Sequence, residues 1–267
     1  FLDELGDKVS EIDIAVLATP PSVRFEIVSR LPSLYAVLAE KPLAVDLVSA
    51  NKFMDECSSR KLMVQVNYWR RADTELRSLK NGGLADLIGD PLAVNFFYGN
   101  GLLNNGSHMI DMARMLFGDI ANYFVLDKGN WSVNGPIHND INPNFALRMN
   151  NNTICSFSPL DFRDYRENGL IVWGRTGRLD ILNEGLIVRH SKVSTNRAMS
   201  GEYEIPADKS VQLKTSVGTA LYSMYDNLVD ALDFKDPELL FSPGPSALET
   251  SSAVDNIYRA ASTNSLI

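Results

Sequence analysis

From Ile12 onward, short unbroken apolar runs alternate with longer stretches whose apolar residues return every three or four positions. Residues 12–18 (Ile-Asp-Ile-Ala-Val-Leu-Ala) predict a strand buried on both faces, as parallel strands are. Thr19-Pro20-Pro21-Ser22 reads as a turn and helix start, with Ser22 as candidate cap and a helix over 23–31. Residues 35–39 are the next strand. Over 46–60, Leu47, Ala50, Phe53, Met54 and Cys57 fall at helical spacing. A third strand follows at 62–66. Strand, helix, strand, helix, strand with short links predicts a parallel sheet with right-handed crossovers.

The pattern changes after Tyr68. A polar helix over 74–80 is predicted to stop at Gly82-Gly83. Strand-like runs follow at 93–98, 122–126, 144–149, 153–157, 169–173, 178–182 and 186–190. Asn150-Asn151-Asn152 and Asn183-Glu184-Gly185 punctuate them as hairpin turns. Helices over 109–117, 217–232 and 246–261 are expected to cover one face of this mostly antiparallel sheet. The predicted fold class is thus α/β plus α+β. Residues 1–68 read as the C-terminal part of a dinucleotide-binding Rossmann sheet, and 69–267 as a substrate-binding and oligomerisation domain. A doubly wound sheet has six strands, and three are visible. If they are the last three, the first is a bare apolar edge, a pairing hazard. The expectation is a longer protein that continues upstream, as a start of Phe1-Leu2-Asp3-Glu4 without methionine also suggests.

Composition narrows the partners. The 267 residues carry a net charge of -8, which argues against nucleic acid or an anionic membrane surface. No apolar run approaches the ~20 residues of a membrane span. Cys57 and Cys155 are far apart and in no metal-ligand spacing, so they read as idle thiols in a reducing, cytoplasmic compartment, and no metal is expected.

Candidate chemistry collects at strand ends. Glu40-Lys41-Pro42 follows an apolar strand, which puts Lys41 at the carboxyl end of the sheet, where ligands of such folds bind. A lysine there donates to, or takes a proton from, a hydroxyl or carbonyl. The alternative is an exposed lysine paired with Glu40. Thr19-Pro20 after the first strand, and Asn67, Tyr68, Arg70 and Arg71 after the third, lie on the same side. Arg71 can grip a phosphate or carboxylate, or be solvated. Further on, Asn104-Asn105-Gly106-Ser107-His108 is a glycine-bearing loop entering a helix. A histidine in a first helical turn suits a general base, although a lone histidine more often caps the helix or packs as a satisfied imidazole. Asp111, in the same turn, reads as structural, and His138 and His190 have no comparable context. No Gly-x-Gly-x-x-Gly phosphate loop occurs.

In this order and spacing the chain resembles the glucose–fructose oxidoreductase/inositol dehydrogenase (Gfo/Idh/MocA) family. Ala18-Thr19-Pro20, Glu40-Lys41-Pro42, Asn67-Tyr68-Trp69-Arg70-Arg71, Gly106-Ser107-His108-Met109-Ile110-Asp111 and Gly174-Arg175-Thr176-Gly177-Arg178 carry the resemblance. It implies an oxidoreductase passing hydride between NAD or NADP and a sugar, nucleotide sugar or cyclitol. Lys41 and His108 are then the catalytic pair. Asn104, Arg71 and Tyr68 would bind substrate. Ala18, Thr19, Pro20, Glu40, Lys41 and Asn67 would bind cofactor. An open antiparallel sheet face often forms a dimer interface, so a homo-oligomer through that sheet is also expected, and a third reading takes the piece as an assembly domain. Three features depart from the family pattern. Asn104 stands where an aspartate is usual. Pro21 and Arg24 replace the usual Asn and His after the Ala-Thr-Pro turn. The phosphate loop is missing, so the chain alone is expected to bind dinucleotide poorly and to be inactive. The rival expectation is a non-catalytic sensor or regulator of the same fold.

Overall fold

The computed structural model describes residues 6–129 and 135–263. Its first sheet holds β1 (Ile14–Leu17), β2 (Ala36–Ala39) and β3 (Met63–Val66), all parallel and in that spatial order. Helices α1 (Arg24–Ser29) and α2 (Leu47–Ser59) are the crossovers. Asp46 caps α2 by accepting a hydrogen bond from the Ser49 amide at 2.7 Å.

One face of this sheet, carrying Ala15, Leu17, Val37, Ala39, Val64 and Val66, packs with Val28 of α1 and with Ala50, Phe53, Met54 and Cys57 of α2. The spacing of those α2 residues is the helical period read from the sequence. The other face presents Ala36 and Leu38. These pack with Ala220, Met224, Leu228 and Ala231.

Three expectations fail in this unit. Strand β1 is not buried on both faces: Ile14 and Val16 are 40% and 48% exposed. It is the sheet's edge strand, and on its second face those two side chains lie beyond the cluster that buries Ala36 and Leu38. Ser22 is no cap. Pro20 and Pro21 lead instead into a 3-10 turn, Pro21–Val23, and α1 begins at Arg24 without a side-chain cap. The helix expected over the antiparallel sheet packs on β2 instead.

Among the described residues the second sheet has eight strands, in the order β13-β10-β9-β8-β4-β7-β6-β5. They are β4 (Pro91–Tyr98), β5 (Ile120–Asp127), β6 (Asn144–Met149), β7 (Ile154–Pro159), β8 (Gly169–Gly174), β9 (Gly177–Leu182), β10 (Ile187–Lys192) and β13 (Val211–Leu213). A two-residue ladder, β11 (Ser194–Thr195) with β12 (Tyr203–Glu204), stands apart. All neighbours in the large sheet are antiparallel except β4 and β7. A parallel pair needs a long crossover, and residues 99–153 supply it. Phe96, Phe157 and Phe145 stack across β4, β7 and β6 at 4.6 and 4.4 Å between centroids.

The polar helix stops early, as α3 (Thr74–Ser78). The chain kinks at Asn81 and Gly82 and then resumes as α4 (Leu84–Ile88). Helix α5 (Ser107–Phe117) follows β4, and its residues are almost all buried.

Two compact units result. Residues up to Ala72 together with Thr219–Asp255 form one, and Asp73–Gly218 together with residues from Asn256 form the other. The sequence division at 68/69 differs in two ways. Ala72 packs in the first unit's core, and the chain returns to that unit for α6 (Ala220–Phe234) and the start of α7 (Gly244–Ser262).

Candidate functional site

The residues singled out from the sequence fall on both units, and each unit is described by itself. In the first, the three parallel strands end side by side. Ala18, Thr19 and Pro20 follow β1; Glu40, Lys41 and Pro42 follow β2; Asn67 and Tyr68 follow β3. This carboxyl edge is where open parallel sheets hold ligands. The Lys41–Pro42 peptide bond is cis. Glu40 and Asn67 are brought together, with Asn67 Nδ2 donating to Glu40 Oε1 at 2.6 Å.

Arg24 was noticed only as a departure from a family pattern, and the structure gives it work. Its side chain is 2% exposed. Nε and one terminal nitrogen donate to the Thr19 carbonyl at 3.1 and 2.8 Å. The other terminal nitrogen donates to the carbonyls of Glu40 and Pro42. Burial lowers its pKa from the ordinary guanidinium value, and the Glu40 carboxylate acts in the opposite direction.

Two polar atoms at this edge stay unsatisfied among the described residues. Thr19 Oγ1 and Asn67 Oδ1 are buried and have no hydrogen-bond partner there. A buried polar atom left so costs about 1–3 kcal/mol, and such atoms at functional edges ask for a ligand. Hydroxyls and amides of a nucleotide cofactor match both atoms chemically. Tyr68 is 2% exposed, and its ring belongs to the hydrophobic core. Arg71 lies in a 3-10 turn, Trp69–Ala72, and is mostly buried.

In the second unit, Gly101 has φ +96°, and a Cβ there would run into the Asp140 carboxylate, so only glycine fits. A π-helical turn, Leu102–Gly106, then runs directly into α5. This alters the expectation for His108. The helical stretch begins at Leu102, so His108 lies more than one turn inside it rather than in its first turn. Asp111 likewise lies beyond the first turn of α5.

The opening amides of that stretch are already held. Asp140 accepts from the Leu103 amide at 2.9 Å and the Asn104 amide at 3.1 Å. A carboxylate at a helical start is favoured by both capping and the helix dipole. Asn142 Oδ1 accepts from the Gly101 amide at 2.8 Å, and the Leu102 amide donates to the Ile141 carbonyl at 2.7 Å. Residues 140–142 therefore grip the loop that carries Asn104 and leads to His108. His108 is 9% exposed and Asn104 is half-buried. Asn105 Nδ2 is a buried donor with no partner among the described residues.

Sequence reasoning missed Asp140, Asn142 and Asn105 as site residues. Asp140 sits in Asn139-Asp140-Ile141-Asn142-Pro143, which has no motif, and its partners lie 36–37 positions away.

No protein-family model matches the chain. The rhizopine catabolism protein MocA of Rhizobium meliloti is 26% identical over 152 residues, 51% of this chain and 48% of that protein. Inositol 2-dehydrogenase 1 of Mycolicibacterium vanbaalenii is 30% identical over 132 residues, 43% of this chain and 37% of that one. The chain therefore aligns with about half or less of the curated relatives it matches. Among solved structures, an oxidoreductase from Agrobacterium radiobacter in complex with NAD+, L-tartaric acid and magnesium superposes with TM-score 0.70 at 16% identity. That match covers 98% of this chain and 80% of that one, and at this identity it speaks to the fold alone. These matches bear out the resemblance to the Gfo/Idh/MocA family. Parallel sheet followed by large mixed sheet is the Gfo/Idh/MocA architecture. Among the described residues no helix is long and apolar enough to cross a membrane.

Proposed function

We propose that the protein is a Gfo/Idh/MocA oxidoreductase that transfers hydride between NAD(P) and a hydroxyl or ketone of a sugar, nucleotide sugar or cyclitol. The observation that carries this reading is the carboxyl edge of the parallel sheet, where Thr19 Oγ1 and Asn67 Oδ1 are buried without partners among the described residues and Asn67 Nδ2 donates to Glu40. Ala18, Thr19, Pro20, Glu40 and Asn67 would hold the cofactor. Bound there, the nicotinamide supplies the hydride acceptor or donor.

Alcohol oxidation also requires that the hydroxyl proton leave. Lys41 donates a hydrogen bond to that oxygen and His108 takes its proton, returning it in the reverse direction. Asn104 and Arg71 orient the substrate. Tyr68, which follows β3, would join them. Self-association through the large sheet and a cytoplasmic setting complete the proposal.

The test is titration with NADH and NADPH, then a screen of polyols and aldoses, on protein expressed from its complete gene. Saturable binding and turnover are expected, with His108→Ala lowering kcat by about 100-fold or more while cofactor affinity is kept. No dinucleotide binding would overturn the reading.

A sensor is the second reading, and Asn104 favours it. An amide in place of the usual aspartate cannot share a proton with a neighbouring base. Dinucleotide binding without turnover of any polyol would select the sensor.

A further inference from the structure

Arg24 stands where the family pattern usually places histidine, and it is one of the most deeply buried side chains of its unit. Its donors are all directed to main-chain carbonyls. One terminal nitrogen serves the carbonyls of Glu40 and Pro42, the residues immediately before and after Lys41. Nε and the other terminal nitrogen hold the Thr19 carbonyl, in the turn after the neighbouring strand. Glu40 in turn accepts from Asn67 at the end of the third strand. One side chain thus connects the turns after β1 and β2, and Glu40 extends the connection to β3.

A planar guanidinium is the side chain able to do this. It offers five N–H donors in a fixed fork, whereas lysine offers a point charge on a flexible stem. We infer that Arg24 is a positioning residue for Lys41: by gripping the carbonyls on both sides of it, the guanidinium fixes the Lys41 backbone relative to the Thr19 turn. Arg24 touches neither cofactor nor substrate in this role. The inference rests on reading Lys41 as an active-site lysine, and it names the device that holds that lysine in register. The buried charge belongs with it. Three carbonyl oxygens and the Glu40 carboxylate compensate a cation that would otherwise be costly to bury.

Arg24→Lys keeps the charge but cannot span three carbonyls. Arg24→His serves as a second variant, a smaller side chain with fewer donors. Three readouts apply. The first is the acylation rate of Lys41 by a water-soluble amine reagent, followed by peptide mass spectrometry against Lys52 and Lys61. The second is the reactivity of the buried Cys57 thiol, which reports loosening of the whole unit. The third is the split between kcat and KM in the oxidoreductase assay.

In Arg24→Lys the Lys41 rate is expected to change severalfold while Lys52 and Lys61 hold steady and Cys57 stays protected. Placement errors near 1 Å cost about 100-fold in rate, so kcat should fall by that order with KM little changed. Two results would overturn the inference. One is an unchanged Lys41 rate in both variants with Cys57 protected. The other is a Lys41 change only where Cys57 also becomes reactive, which marks Arg24 as a general stabiliser. Because the labelling needs no turnover, a protein without dehydrogenase activity would sink the proposed function and still leave the Arg24 result to be read.

Discussion

Asp140 bridges the amides of Leu103 and Asn104 and crowds Gly101, so a single carboxylate shapes the approach to His108. Asp140→Ala removes the acceptor from these amides and from that of Ile141, which it also holds at 2.9 Å. The expected cost is about 2–3 kcal/mol, since hydrogen bonds to a charged group and the donors left behind both count. Urea unfolding measures it, and turnover should fall with it because the Asn104 loop loses its grip. Asp140→Asn, which keeps one acceptor oxygen, should lie between. No pattern in the sequence announces this residue, because two of the three amides it holds are distant along the chain and it follows no helical or strand period. Short motifs mark Lys41 and His108 as candidates in the sequence. Arg24 was legible only as a mismatch, since what it binds is backbone, which leaves no trace in residue identity.

Elements were read well where their own periodicity suffices. The spacing 47, 50, 53, 54, 57 gave α2, and α6 shows its buried face at Ala220, Met224, Leu228 and Ala231. Periodicity says that a helix has an apolar stripe; it does not say which sheet the stripe will meet. For that reason α6 was expected over the large sheet and was found against β2. Side-chain anchors at element ends are equally long-range. Asp73 is fully buried; Oδ1 caps α3 through the Leu76 amide at 2.8 Å, and Oδ2 accepts from Thr215 Oγ1 at 2.9 Å and from the Ser216 amide at 2.6 Å. Asp73→Ala leaves the buried Leu76 amide and the partly buried Thr215 and Ser216 donors without this acceptor and should cost about 2–3 kcal/mol, combining a lost cap with unsatisfied donors. Thermal unfolding followed by circular dichroism checks it. Ser216→Ala alone should cost less, because the Ser216 amide keeps its bond.

At the scale of the whole molecule, the two thiols set an alkaline limit. Burial pushes Cys57 and Cys155 up to about 12 from an ordinary 9.0. Below about pH 9 both stay protonated whether the chain is folded or not, and their contribution to stability is complete. Between about 9 and 12 the unfolded chain releases protons that the folded protein keeps, so stability falls as pH rises, by at most about 1.4 kcal/mol per pH unit for each thiol. Urea midpoints at pH 8, 9, 10 and 11 should show this decline, and a Cys57→Ala/Cys155→Ala protein should show a flatter one. A disulfide-exchange reagent at pH 8 should find neither thiol until denaturant is added.

The first unit is assembled from two stretches of chain separated by the whole of Asp73–Gly218. On the ribosome, β1, β2 and β3 emerge long before the helix that shields Ala36, Leu38 and Ala72 from water. For the time needed to synthesise some 150 residues, at about 5–20 per second, that apolar face waits without its cover. Such long-range closure slows folding and exposes sticky surface. The last piece of this unit to be made is thus the one that closes its sheet.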